Sequence, residues 1–125
     1  MRDYTKIRAW KKADDFVVAV YEATRRFPKE ELYAVTGQIR RAAYSAPANI
    51  VEGATRESTR DYLHFLHIAR GSLTETRYFL HLAHRLGYLS PEQKAGLTEQ
   101  ADEALRVLAG LIRSVEAERG LDAGS

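Results

Sequence analysis

Four histidines and four arginines crowd into the stretch 60–85, and no other part of the chain offers as many groups for chemistry. His64 and His67, and again His81 and His84, stand three residues apart, so each pair shares one side of a helix. Imidazoles so placed bind a metal when carboxylates complete the set. Bundle metal sites need a Glu-x-x-His from each of two helices, and only Asp61-x-x-His64 resembles one half of that. Around a helical wheel the four rings spread over more than roughly a third of the circumference, so they cannot converge on one ion within a chain. No metal and no other cofactor is expected, and the histidines are expected to be exposed or interfacial. The same helix carries Arg60-x6-His67 and Arg77-x6-His84. An arginine can neutralise a phosphodiester while a histidine moves its proton, which is ribonuclease chemistry without metal. Neither pair has a supporting motif, and chance matches are common where both residue types are dense. Gly-x-Ser-x-Gly and Gly-x4-Gly-Lys elements are absent, and the lack of cysteine excludes thiol nucleophiles, disulfides and zinc ribbons.

A second polar set lies on Arg41, Ser45, Asn49, Glu52 and Arg56, at steps of 4, 4, 3 and 4. One explanation is structural, with Glu52 and Arg56 paired at i,i+4 while Ser45 and Asn49 tie off backbone groups freed by Pro47. The other makes the arginines phosphate contacts. The mixture of signs and the small residues favour the structural one. The formal net charge is +2, from 19 basic and 17 acidic residues, and the positive excess sits in residues 1–60. Lys6, Arg8, Lys11, Lys12, Arg40, Arg41, Arg56 and Arg60 are the candidate nucleic-acid contacts, each with a solvated surface as its simpler explanation.

The elements that must position these residues are helical. Trp10, Ala13, Val17, Val20, Thr24 and Phe27 repeat at 3 and 4, and Pro28 stops the pattern. A second pattern starts at Glu30 and passes Leu32, Val35, Ile39, Ala43, Ala46 and Ile50 to end near Gly53, with a kink or break expected at Pro47 and Ser45 capping the new segment. Ser58 and Asp61 have capping-box spacing ahead of a long helix that Gly87 ends. That helix carries two adjacent stripes, Tyr62, Leu66, Ala69, Leu73, Thr76, Leu80 and Ala83 beside Phe65, Ile68, Ser72, Phe79, Leu82 and Leu86. Two stripes need two neighbours, which makes self-association an expectation. Ser90-Pro91-Glu92-Gln93 opens a fourth helix with Leu97, Ala101, Ala104, Leu108, Leu111 and Val115 inward and Gly120 at its end. The expected fold is all-α, an antiparallel up-down four-helix bundle in one domain over 1–120, followed by a frayed tail at 121–125. Apolar runs are far shorter than the roughly 20 residues of a membrane span, and the charged N-terminus lacks an export pattern, so the cytoplasm is the expected compartment.

Trp10-Lys11-Lys12-Ala13, Phe27-Pro28, Gln38-Ile39-Arg40-Arg41-Ala42, Ser45-x-Pro47-x-Asn49-Ile50-x-Glu52-Gly53 and Phe65-Leu66-x-Ile68-Ala69-Arg70-Gly71-Ser72-Leu73 together resemble the four-helix-bundle proteins encoded in 23S rRNA intervening sequences. The resemblance runs from about Tyr4 to Leu89. Ala46 and Val51 depart from the usual larger aliphatic residue and alanine at those positions. It implies a ring-shaped homo-oligomer, a homopentamer, with no catalytic residues. It also implies kinship with accessory proteins of diversity-generating retroelements, which partner a reverse transcriptase and bind nucleic acid. The structural positions it implies are Trp10, Gln38, Arg41, Ser45, Pro47, Asn49, Glu52, Gly53, Gly71 and Ser72, with Gly71 and Ser72 expected to permit close helix approach. Gly71→Leu is accordingly expected to disrupt the bundle or its assembly. Three functions stay open on this basis: a nucleic-acid-associated oligomeric scaffold, an RNA-cleaving domain of the HEPN-like kind using Arg-x6-His, and a module that binds only a protein such as a reverse transcriptase or ribosome-associated factor.

Overall fold

This computed structural model describes residues 1–124, with side chains described as far as Leu121. Four helices run α1 Arg8–Thr24, α2 Val35–Ala54, α3 Thr59–Arg85 and α4 Pro91–Gly124, with short 3-10 turns at Tyr4–Lys6 and Lys29–Glu31 and no strand among the described residues. Each helix packs on the next, and α1 closes the bundle against α4. The order and the short connections make an up-down four-helix bundle.

Caps explain where α3 and α4 begin. Ser58 Oγ accepts from Asp61 N–H at 3.1 Å. At α4 the capping box is reciprocal, with Ser90 Oγ accepting from Gln93 N–H and Gln93 Oε1 accepting from Ser90 N–H, and Pro91 takes the first helical position. Gly87, at φ +84°, lets Tyr88 N–H reach Ala83 O and Gly87 N–H reach His84 O, a Schellman closure of α3. Ser58 and Ser90 leave their side chains facing solvent, so both starts were readable from local spacing.

Helix α3 lies between α2 and α4, and its first stripe is buried at every expected position from Tyr62 to Ala83. Phe16 of α1, Ile39 and Ile50 of α2 and Leu108 of α4 join it in the buried core. Full burial of each such side chain stabilises by about 1.5–3 kcal/mol. The buried side of α2 is small, with Ala42, Ala43, Ala46, Gly53 and Ala54, and this allows α2 to approach α3 closely. A Cβ at Gly53 would stand 2.9 Å from Phe65 Cβ and 3.1 Å from Tyr62 Cδ1.

Several boundaries and faces differ from expectation. On α1 the expected residues Ala13, Val20 and Thr24 are buried, as is Phe27 beyond it, but Ala9 and Phe16 take the inner places expected of Trp10 and Val17, which are half-buried. Trp10 packs instead on the edge of the Tyr4 ring at 5.0 Å. Helix α2 begins at Val35 and not at Glu30, leaving Leu32 exposed in the preceding turn. It runs through Pro47 as one helix, and Ser45 does not cap a new segment. The carbonyl deprived of its i+4 donor by Pro47 belongs to Ala43, whereas the Asn49 amide donates to Ser45 O and Oγ, so these side chains do not repair the proline site. On α4 Ile112 takes the buried position expected of Leu111. That helix continues past Gly120 to Gly124, and of the expected tail Ser125 lies outside the described residues.

The N-terminal segment closes one end in a way no local pattern announced. Arg2 N–H donates to Ala54 O, its guanidinium donates to Arg56 O and lies 4.0 Å from the Tyr62 ring centre, placing a cation at the C-terminus of α2. Burial raises the Tyr62 phenol above its ordinary value of 10.0, with Arg2 lowering it and Glu118 raising it further. A raised folded value means stability that is complete below the ordinary value and lost as pH rises through the folded one. Urea midpoints from about pH 9 to 11 are expected to fall more steeply for the parent than for Tyr62→Phe.

Candidate nucleic-acid interface and assembly face

The up-down order brings the start of α1, the end of α2, the start of α3 and the end of α4 to one end of the bundle. Lys6, Arg8, Lys11, Lys12, Arg56 and Arg60 therefore belong to that end, and Arg40 and Arg41 to the other half of α2. The structure does not gather the eight into a single patch. Lys11 pairs with Asp15 at 3.8 Å, and Lys12 pairs with Glu103 of α4 at 2.8 Å. The Lys12 ammonium, through its hydrogen bond and its charge, holds the Glu103 carboxyl below the usual carboxylate range, with Arg106 and Arg8 adding to the effect and desolvation opposing it. Arg56 pairs with Glu52 and lies over the Phe65 ring at 4.7 Å. Arg40 donates from Nε to Thr24 Oγ1 at 2.8 Å and lies over the Tyr21 ring at 4.5 Å. Lys6, Arg41 and Arg60 have no ion pair among the described residues.

Arg60 stands in a more telling place. It lines a groove of about 520 Å³ between α3 and the end of α4, together with His64, His67, Glu116 and Arg119. His67 Nδ1 meets the Arg70 guanidinium at 2.9 Å. The arginine is always a donor, so in this contact Nδ1 accepts. Composition did not reveal Arg119 as a partner of this group, because 59 residues of chain separate it from Arg60. The second pair is placed differently. Arg77 Nε is tied to Asp102 Oδ1 at 2.9 Å and His84 Nδ1 lies 2.9 Å from Leu89 O, the two lining separate depressions. Among the described residues no group of three His, Asp or Glu side chains is arranged to hold a metal. None of the described helices is long and apolar enough to cross a membrane.

The implied structural positions fall mostly on the α2–α3 flank. Ser45 is the hub there, accepting from Asn49 Nδ2 at 3.1 Å and lying 3.0 Å from Ser72 Oγ, whose single proton is donated either to Ser45 Oγ or to Ile68 O. Gln38, Arg41 and Glu52 are exposed, Pro47 and Gly53 buried. Gly71 is exposed, and a Cβ there would meet nothing within 4 Å. Of these two glycines it is therefore Gly53 that permits close approach within the chain, and Gly71→Leu, contrary to expectation, meets no neighbour inside the bundle that it could disrupt. The second α3 stripe stays incompletely covered: Phe65, Ser72, Phe79 and Leu82 are half-buried, and Ile68 is 38% and Leu86 48% exposed.

Comparison with known proteins agrees with this geometry. A protein of unknown function from the S23 ribosomal protein family of Bacteroides thetaiotaomicron, known from a crystal structure, superposes with a TM-score of 0.78 at 27% identity, over 84% of this chain and 95% of that one. Among curated proteins none matches. The 23S rRNA-intervening sequence protein family matches residues 5–110, which takes in all of α1, α2 and α3 with the motifs on their faces, and the chain belongs to that family.

Proposed function

We propose that the protein is a non-catalytic oligomeric scaffold, a ring of five copies, that holds RNA or DNA against its basic ends. The observation that carries this reading is the second stripe of α3, a line from Phe65 through Ile68 and Phe79 to Leu86 in which the chain leaves Ile68 and Leu86 exposed and the two phenylalanines half-covered. A second copy of the chain covers it, since a free apolar line of this length costs solvation and ring assembly buries it in every protomer at once. Repetition of the Arg60 and Arg119 groove around a ring then multiplies a modest +2 per chain into a phosphate-binding rim.

Light scattering combined with titration of fluorescent structured RNA and duplex DNA between about 50 and 200 mM salt tests both parts. The expected result is a multiple of the chain mass and binding whose salt slope becomes shallower in Arg60→Ala. A single-chain mass, or binding to neither nucleic acid, overturns the corresponding half. Lys11→Ala with Lys12→Ala is expected to alter the slope less than Arg60→Ala, because Asp15 and Glu103 already neutralise those two.

One observation favours a second reading. Arg60, His64, His67 and Glu116 share one groove, which places a phosphate-binding group beside proton-transfer groups. Cleavage of RNA without added metal, abolished in His67→Ala and intact in His84→Ala, would replace the scaffold reading with a ribonuclease.

A further inference from the structure

The far end of the bundle, where α1 ends and α2 begins, holds a cavity of about 340 Å³ that the scaffold reading leaves unused. Phe27 and Leu32 give it an apolar lining, and Arg25, Lys29 and Arg40 line it as well. None of these three cations has an ion pair among the described residues. Arg40 is held in place by its bond to Thr24 Oγ1 and by the Tyr21 ring, so its remaining donors are oriented before any ligand arrives. Glu30 and Glu31 follow Lys29 directly in the chain and are near enough to Tyr88 to raise its phenol, which burial raises most. Tyr88 itself packs on the Phe27 ring at 5.3 Å.

Two features at the same wall are incomplete. Helix α2 starts at Ala34 without a side-chain cap and with no acid in its first turn, and Gln38 N–H is the donor that closes onto Ala34 O. The positive end of a 20-residue helix is therefore left without an anionic or side-chain acceptor. Thr36, in that first turn, lines the cavity, is 3% exposed, and its Oγ1 has no hydrogen-bond partner. An unpaired buried hydroxyl costs stability, and threonine in a helix has two χ1 wells through which it can turn to a new acceptor.

We propose that this cavity binds a phosphomonoester carried on a flat apolar body, the chemistry of a 5′-nucleotide. The phosphate takes the first turn of α2, the Thr36 hydroxyl and the three cations, which suit a dianion better than a single carboxylate. The flat body lies on Phe27 and Leu32. A space of this size accepts one small molecule or one nucleotide at a chain end and excludes a duplex. The site is complete within one chain and lies away from the α3 stripe, so it stands or falls independently of the ring.

Calorimetric titration of the full chain with 5′-AMP, adenosine and inorganic phosphate tests it, with a 5′-phosphorylated tetranucleotide and its 5′-hydroxyl form as further arms. Saturable binding of 5′-AMP or of the phosphorylated tetranucleotide is expected, at least about tenfold tighter than adenosine, the 5′-hydroxyl form or phosphate alone. The tighter of the two phosphorylated probes identifies the source as a free nucleotide or a nucleic-acid end. Thr36→Val keeps the shape and removes the unpaired hydroxyl, so it is expected to raise the melting temperature by about 2–5 °C while weakening binding about tenfold. Lys29→Ala is expected to weaken binding with the mass and melting temperature unchanged. No saturable binding of either phosphorylated probe, equal binding of phosphate alone, or unaltered affinity in Thr36→Val overturns the proposal. Binding lost together with the fold is distinguished by the helical circular dichroism of each variant.

Discussion

Replacing Ile68 with aspartate is expected to leave the four helices intact and to reduce the assembly to single chains. Ile68 is 38% exposed and outside the buried stripe of α3, so an acid there meets water in the isolated chain and costs the core nothing. In an assembly that covers Phe65, Ile68 and Phe79 the same carboxylate is desolvated without a partner, a penalty of several kcal/mol repeated at every interface. Light scattering of Ile68→Asp is expected to give one chain mass where the parent gives a multiple, with helical circular dichroism unchanged. A parent and a variant of the same multimeric mass would show that another face holds the copies together. Loss of helix signal in the variant would place Ile68 in the fold of the chain itself.

The second large effect is expected at Gly53. A Cβ there would stand 2.9 Å from Phe65 Cβ, where carbon atoms ordinarily meet at about 3.5–4.0 Å, and the Phe65 atom is fixed to the α3 backbone. Helices α2 and α3 must therefore separate, because no rotamer change moves a Cβ. Overpacking of this kind costs about 1–3 kcal/mol, which exceeds the gain of about 1 kcal/mol that alanine brings over glycine in a helix. Gly53→Ala is thus expected to lower stability, and Gly53→Val to lower it by about 3 kcal/mol, because two γ-methyls are added to a Cβ that already crowds Phe65 and Tyr62. Gly71→Ala, with nothing within 4 Å, is expected to gain up to about 1 kcal/mol in the isolated chain. Urea denaturation of all three, run in the Ile68→Asp background so that assembly does not enter the midpoint, checks the order. A stability ranking with Gly53→Ala above the parent would show that the α2–α3 contact yields at little cost.

The two glycines show why the functional surface was only partly legible. Gly71 and Gly53 are both positions that the resemblance implies, but with α2 expected to end near Gly53 only Gly71 was expected to permit close helix approach, and the sequence has no way to say which of the two faces a neighbour. The His64 and His67 spacing located half of the basic groove, and Arg119 completes it only because α4 runs antiparallel to α3 past the start of that helix. Asn49 and Ser45 were placed together correctly, since they are one helical turn apart, but their third partner, Ser72, came from 27 residues away.

Local rules in the chain were sufficient for four helices, for the caps at Ser58, Ser90 and Gly87, and for the inward stripe of α3, because hydrogen bonds over three to five residues and a 3.6-residue period act within a short segment. Packing between helices chose the rest. It turned α1 so that Phe16 and not Val17 faces inward, started α2 at Val35, carried it through Pro47 on small neighbours, and brought Arg2 to the end of α2. Each of those outcomes depends on the shape and charge of a surface that meets the helix from elsewhere in the chain, and an apolar stripe seen alone is too wide to specify which of its edges that surface will cover.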